Sequence, residues 1–121
     1  MATRAVFTPA SAEMPSTNFP QLTISNTTER RQALGYDAST AEAAMWTTVA
    51  PQGLTGTQTM VVTYAMASAT TGGVAWQVEA EAITAGDAMD TDAATSYDST
   101  NVATAASVPG TAGYIGQVSV T

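Results

Sequence analysis

The chain has 121 residues with ten acids and three arginines, and it contains no lysine, histidine or cysteine, so its net charge is -7. This length suits one domain, and so few cations disfavour nucleic-acid and anionic-membrane partners, which both require clustered positive charge. Without cysteine or histidine there are no disulfides, no thiolate nucleophile, no usual zinc ligands and no imidazole base. We therefore expect a soluble protein that is not an enzyme and holds no cofactor.

The amino-terminal segment contains three prolines among Ser, Thr and Asn. Proline favours extended backbone and cannot donate to a sheet ladder. The sequence predicts an extended arm over residues 1–28, with a short strand near Leu22–Ile24, followed by a β-domain over residues 29–121. We expect contact with another chain to order the arm, through four apolar anchors: Phe7, Phe19, Leu22 and Ile24.

The stretch "RRQALGYD" alternates in a way that predicts a strand. In "STAEAAMW", Ser39 and Glu42 have the spacing of a helix capping box. Thr47, Thr48, Val49 and Pro51 follow within a few residues and would stop any helix early. We therefore predict a loop leading into a strand at residues 44–50.

The middle of the chain carries the clearest alternation. Met60, Val62, Tyr64 and Met66 share one parity in "TMVVTYAMA". The turn "SATTGG" predicts a hairpin that brings a second run back onto the first. Its members on the same parity are Val74, Trp76 and Val78.

Two further short strands are predicted in "NVATAASV" and "YIGQVSV". Turn signals recur about every eight to twelve residues, a rhythm typical of all-β sandwiches and barrels. The sequence thus predicts an antiparallel β-sandwich, jelly-roll-like in type. The last run places Val118 and Val120 on a strand that must pair with another element or invite association at its edge.

Glu79 and Glu81 lie two apart on the predicted second strand of the hairpin. Their Cα atoms would be about 6.5–7 Å apart, a separation compatible with a pair of glycosidase carboxylates. Catalysis would also need a shielded cleft to raise one pKa, and no aromatic cleft is evident on that parity. The pattern favours a solvent-facing or subunit-facing sheet surface.

The loop "GDAMDTD" contributes three aspartates: Asp87, Asp90 and Asp92. Calcium favours clustered carboxylates, but this spacing does not match a calcium loop and the bidentate glutamate is missing. We expect a solvated loop without a metal. Trp76 follows the apolar parity of its strand, which favours core packing over stacking on a sugar.

Three segments carry a resemblance to a known class of proteins: "GYDASTAEAAMWTTVAPQGLTG", "MVVTYAMASATTGGVAWQVEAEAITAGDAMD" and "VPGTAGYIGQVSVT". Over residues 31–121 the chain resembles small virion structural proteins of tailed bacteriophages, such as head decoration and tail-fibre-associated proteins. Proteins of this type commonly continue with further strands after the position of "VSVT".

The resemblance implies a capsid decoration (cement) protein on the virion surface. Such a protein would form a homo-oligomer, with a trimer favoured, and would clamp neighbouring copies of the major capsid protein. Residues 1–28 would reach a neighbour, and the interface would involve Phe7, Phe19, Leu22, Ile24, Val118 and Val120. The alternative is a tail-fibre or receptor-binding β module that recognises a host surface glycan.

Overall fold

The computed structural model describes residues 3–24, 28–86 and 97–121. The chain divides into two compact units, Met1–Leu54 (unit 1) and Thr55–Thr121 (unit 2), whereas the sequence suggested a boundary at residue 28. The described residues form eight short strands, one 3-10 turn and no α-helix, so the expectation of an all-β chain is confirmed. Within these ranges no helix is long and apolar enough to cross a membrane.

Unit 1 is built on one antiparallel ladder. Strand β1 (Gln21–Ile24) pairs with β2 (Gln32–Gly35), and Leu22 lies opposite Leu34 in the register. Both strands were predicted, β2 from its alternation and β1 as a short strand within the extended arm, and both are confirmed. A 3-10 turn over Pro9–Ser11 precedes them, with proline at its start, where the missing N–H costs no hydrogen bond.

The amino-terminal segment is held by residues 43–46 of its own unit. Glu13 and Met45 exchange both backbone hydrogen bonds, and the Trp46 indole N–H donates to the Thr8 carbonyl at 3.0 Å. The rings of Phe7 and Trp46 lie 6.0 Å apart. The strand predicted over residues 44–50 is wrong, because Met45 alone finds a bridge partner there.

Unit 2 is one long antiparallel ribbon whose strand pairs are nested. The outer pair is β3 (Met60–Ala65) with β8 (Ile115–Val120). Inside it, β4 (Gly73–Val74) pairs with β7 (Ala106–Ser107), and β5 (Gln77–Val78) pairs with β6 (Asn101–Val102).

The register of this ribbon is continuous except for one slip. Partner numbers add to 180 in the β3–β8 and β4–β7 pairs and to 179 in the β5–β6 pair. One extra residue therefore lies on the returning strand within residues 103–105, as in a β-bulge. Such a bulge adds local twist to the ribbon at the point where Ala103 turns inward and is buried.

The hairpin predicted across "SATTGG" is wrong, because β3 pairs with β8 and not with β4. The glycine signal instead marks a bend, where Gly72 adopts a φ of 98°. The rings of Tyr64 and Trp76 lie 6.0 Å apart, although their separation of twelve positions would span about 40 Å in a straight strand. The ribbon therefore folds back on itself, and the predicted contact between the two apolar parities forms at this aromatic pair.

Burial within the described residues is sparse. The alternation of β3 is visible as half-buried Met60, Val62 and Tyr64 between exposed neighbours. The buried apolar residues are Ala103, Val108 and Val120, and Pro20 is the largest side chain that is fully enclosed. The outer strands of unit 2 thus have one sheltered side, whereas β1 of unit 1 is exposed throughout, and the described residues enclose very little core.

Gly116 and Tyr64 are directly paired across the β3–β8 ladder, and the tyrosine ring covers the glycine. A Cβ built on Gly116 would lie 2.6 Å from the Tyr64 Cζ atom. Because Tyr64 also packs on Trp76, the glycine lets one ring bridge the ladder and the bend. An aromatic side chain over a strand glycine is a known means of stabilising such pairs.

We predict that Gly116→Ala lowers the free energy of unfolding by about 1–3 kcal/mol, because the methyl group displaces the Tyr64 ring from its place against Trp76. Gly110→Ala is the matched control, since nothing lies within 4 Å of a Cβ built there. Urea titration followed by circular dichroism measures both. In the background of Tyr64→Ala the Gly116→Ala penalty should disappear, and a penalty that persists there would contradict this role of the ring.

Candidate functional site

The predicted interface residues fall into two groups. Phe7, Phe19, Leu22 and Ile24 are exposed large apolar side chains of unit 1. Val118 and Val120 lie on the sheltered side of β8, within unit 2, and Val120 is only 3% exposed. The structure therefore places the first group where a partner can reach it, and uses the second group inside the ribbon.

The β1–β2 ladder has two unlike faces. Residues of one parity, Leu22 at 52% and Ile24 at 48% exposure, share a face with Leu34 in the antiparallel register. The opposite parity contributes polar or small residues and lines a shallow cavity of about 330 Å³. The lining residues are Gln21, Thr23, Gly35, Tyr36, Asp37 and Glu42.

The two carboxylates of this cavity fasten the loop that follows β2. Asp37 Oδ1 accepts hydrogen bonds from the backbone N–H of Ser39 at 2.6 Å and from its hydroxyl at 2.7 Å. Glu42 Oε2 accepts the backbone N–H of Asp37 at 2.7 Å. The Ser39 and Glu42 side chains, which have the spacing of a capping box, thus both serve Asp37 in an aspartate-centred turn, and no helix forms.

The electrostatics of the cavity follow from these bonds. Hydrogen bonds from the Ser39 side chain, and then from the Ser39 backbone, lower the pKa of Asp37 below 3.8. Partial burial raises the pKa of Tyr36 above 10.0, and the negative charge of Glu42 raises it further. At neutral pH Asp37 is therefore ionised and Tyr36 is protonated, so the cavity offers hydrogen-bond acceptors and one phenol donor.

Glu79 and Glu81 lie beyond β5, near the end of the described ribbon. Glu79 is exposed and accepts a hydrogen bond from the Thr100 hydroxyl, whereas Glu81 is half-buried. Asp98 acts as a clamp nearby: its backbone N–H donates to the Ala80 carbonyl at 2.9 Å, and its carboxylate accepts the Ala80 N–H at 2.8 Å. The acids of this region thus join the two strands of the ribbon.

The predicted aspartate loop, with Asp87, Asp90 and Asp92, lies outside the described residues. Across residues 3–24, 28–86 and 97–121, no group of three or more acidic side chains is arranged to hold a metal ion.

Sequence reasoning missed a larger set of exposed apolar side chains. The exposure of these side chains depends on how the strands pair and not on local sequence pattern. Beside the four predicted anchors, the exposed large apolar residues are Val6, Tyr36, Val49, Leu54, Val61, Ile83, Tyr97, Val102, Tyr114 and Ile115. Single exposed apolar residues are ordinary, but here they outnumber the buried ones among the described residues.

Comparison with protein-family models gave no match, and comparisons with curated proteins and with solved structures gave none either.

We predict that Ser39→Ala raises the pKa of Asp37 toward 3.8, because it removes the hydroxyl donor that is the main cause of the lowered pKa. A carboxyl whose pKa is lower in the folded than in the unfolded protein stabilises the fold at pH values above about 3.8, and this stability is lost as the pH falls through the folded pKa. Ser39→Ala should therefore reduce the stability that the protein loses on acidification. Thr40→Ala is the control, because Thr40 contributes to the Asp37 pKa through its backbone alone. Carbon-detected NMR titration reads the carboxyl directly; equal pKa values in both variants would contradict the turn described here.

Proposed function

We propose that this chain is a structural subunit of a tailed-bacteriophage virion, and specifically a capsid decoration protein that clamps neighbouring major capsid subunits as a homotrimer. The resemblance of residues 31–121 supplies the biological setting. The observation that carries the proposal is physical: the chain buries few apolar side chains within itself and leaves many exposed.

A two-stranded ladder is only marginally stable in water without a third strand or another surface to pack on. The described residues contain four such ladders and no wider sheet. Ordering each residue costs about 1–2 kcal/mol of backbone entropy, and the few enclosed side chains offset only part of this. A subunit of this kind is suited to complete its core on neighbours, as obligate assemblies do.

The proposed fold of the assembled protein is an antiparallel β-sandwich of the jelly-roll type. The bend at Gly72 already brings Tyr64 and Trp76 together from two parts of the ribbon. The two parts of the ribbon on either side of the bend would form two layers. Strands from neighbouring copies would widen each layer into a full sheet. Sheets packed in this way share a core about 10 Å thick, which suits the Tyr, Trp, Met and Val side chains available here.

The apolar face of the β1–β2 ladder is the proposed contact with the major capsid protein. Leu22, Ile24 and Leu34 share this face, and the cavity with Asp37 and Glu42 lies on the other. Full burial of an exposed Leu or Ile contributes about 1.5–3 kcal/mol, and Leu22 and Ile24, at 52% and 48% exposure, have about half of this left to gain. Modest contacts of this kind, repeated over three linked copies, give firm attachment by avidity.

We predict that purified virions encoding this chain contain it on the order of several hundred copies per particle, because a cement protein repeats with the capsid lattice. Quantitative mass spectrometry, scaled to the major capsid protein, measures the ratio. A value of about a few dozen or fewer would instead favour the tail-fibre module that recognises a glycan. Absence from the particle would overturn the structural role altogether.

We further predict that Leu22→Thr/Ile24→Thr weakens attachment to shells by at least about tenfold, because two half-exposed apolar contacts of about 0.8–1.5 kcal/mol each are removed. Leu22→Val/Ile24→Val is the matched control, because valine has the β-branched shape of threonine and keeps the face apolar. Purified protein is mixed with particles that lack it, and co-sedimentation gives the affinity. Equal binding of the two double variants would exclude this face from the contact.

A further inference from the structure

The outer ladder of unit 2 has two open edges and neither is protected. Within the described residues β3 pairs only with β8, and β8 pairs only with β3. Soluble proteins usually block such edges with charged residues, proline or bulges. The sequences of the two strands, "MVVTYA" and "IGQVSV", contain no charge and no proline, and their six-residue register runs without a bulge.

The charged side chains of unit 2 all fall between residues 79 and 98 of the sequence. They are Glu79, Glu81, Asp87, Asp90, Asp92 and Asp98. Residues 55–78 and 99–121 carry no charged side chain at all. Because every charge in the unit is negative, the acidic parts of two copies repel each other. Repulsion between these acidic segments favours approach of two copies along the neutral segments, which include the β3–β8 ladder.

The exposed face of this ladder has side chains suited to enclosure. Its members are Val61, Thr63, Ala65, Ile115, Gln117 and Ser119. Val61 is 53% exposed and Ile115 is 67% exposed, so both gain from burial. The opposite face of the ladder is already sheltered within the same unit, where Tyr64 packs on Trp76. The face that carries Val61 and Ile115 is therefore the one that remains to be covered.

We propose that β8 of one copy pairs with β3 of the next, and that three copies close into a six-stranded antiparallel barrel. This inference rests on the proposed homotrimer and names the strands that join it. Within one copy β3 and β8 run antiparallel, so the alternation continues around the ring without conflict. A head-to-tail ring uses both edges of every ladder, whereas a twofold dimer leaves two edges open.

The exposed face described above would fill the barrel lumen. A closed barrel of eight strands has an interior just wide enough for side chains, and a six-stranded one is narrower. Small and medium uncharged residues fit such a space, and a single lysine placed in it would be repeated three times around the axis. This repetition makes the ladder sensitive to one introduced charge.

The test uses the full-length chain in solution. Analytical ultracentrifugation should give a trimer for the natural sequence and for the control Thr104→Lys, an exposed position between β6 and β7. Gln117→Lys should shift the protein to monomer, with circular dichroism confirming that its strands persist. A trimer that survives Gln117→Lys would overturn the barrel while leaving the decoration role intact. A natural-sequence dimer or monomer would overturn the barrel too.

Cross-linking tests the pairing itself, and the lack of native cysteine makes each introduced thiol unique. Thr63→Cys chains are mixed with Gln117→Cys chains and oxidised. Single cysteines at residues 61 and 65 of β3, and at residues 115 and 119 of β8, test the neighbouring registers in the same way. Head-to-tail pairing predicts disulfides between the two kinds of chain, because opposed Cα atoms in a ladder lie within disulfide reach. Disulfides formed mainly within one kind of chain would show a twofold contact and overturn the proposal. Failure of the decoration role would be seen separately: the natural-sequence protein would form the trimer but would not bind to shells.

Discussion

The two-stranded ribbon of unit 2 is the constraint on which most of the structure depends. Pairing Met60 with Val120 joins residues sixty positions apart, and the inner pairs follow the same path. A ribbon satisfies backbone groups on one edge of each strand and leaves the other edges open. The sparse core and the exposed apolar side chains of its described residues follow from this topology, and they motivate the proposed contacts with neighbouring copies.

Local pattern predicted most strand positions, residues 44–50 excepted, but not how the strands pair. Period-two alternation places Met60, Val62 and Tyr64 on one side from their own residue types, and the structure confirms that parity. The choice of β8 as partner depends on contacts distant in sequence, for which one chain offers no local signal. The "TTGG" stretch was misread for the same reason, since a bend and a hairpin turn require the same backbone freedom at Gly72.

The loop after β2 illustrates a different limit. Ser39 and Glu42 have the spacing of a capping box, and both do satisfy backbone or carboxylate groups. No turn centred on Asp37 was predicted, yet its carboxylate organises this loop because a short acidic side chain competes for nearby backbone N–H groups. The residue types were informative about hydrogen bonding, whereas the element they build depends on which of several local acceptors is closest.

The uneven distribution of charge reconciles solubility with association. A net charge of -7 keeps free copies apart in solution, which protects a chain that exposes neutral strand edges. Salt screens this repulsion over about 8–10 Å at physiological ionic strength, while hydrogen bonds between strand edges are little affected. Association of such a chain should therefore be faster at higher ionic strength. In the proposed trimer, repulsion between the acidic segments around residues 79–98 slows the encounter of two copies, and the neutral ladder would supply the contact.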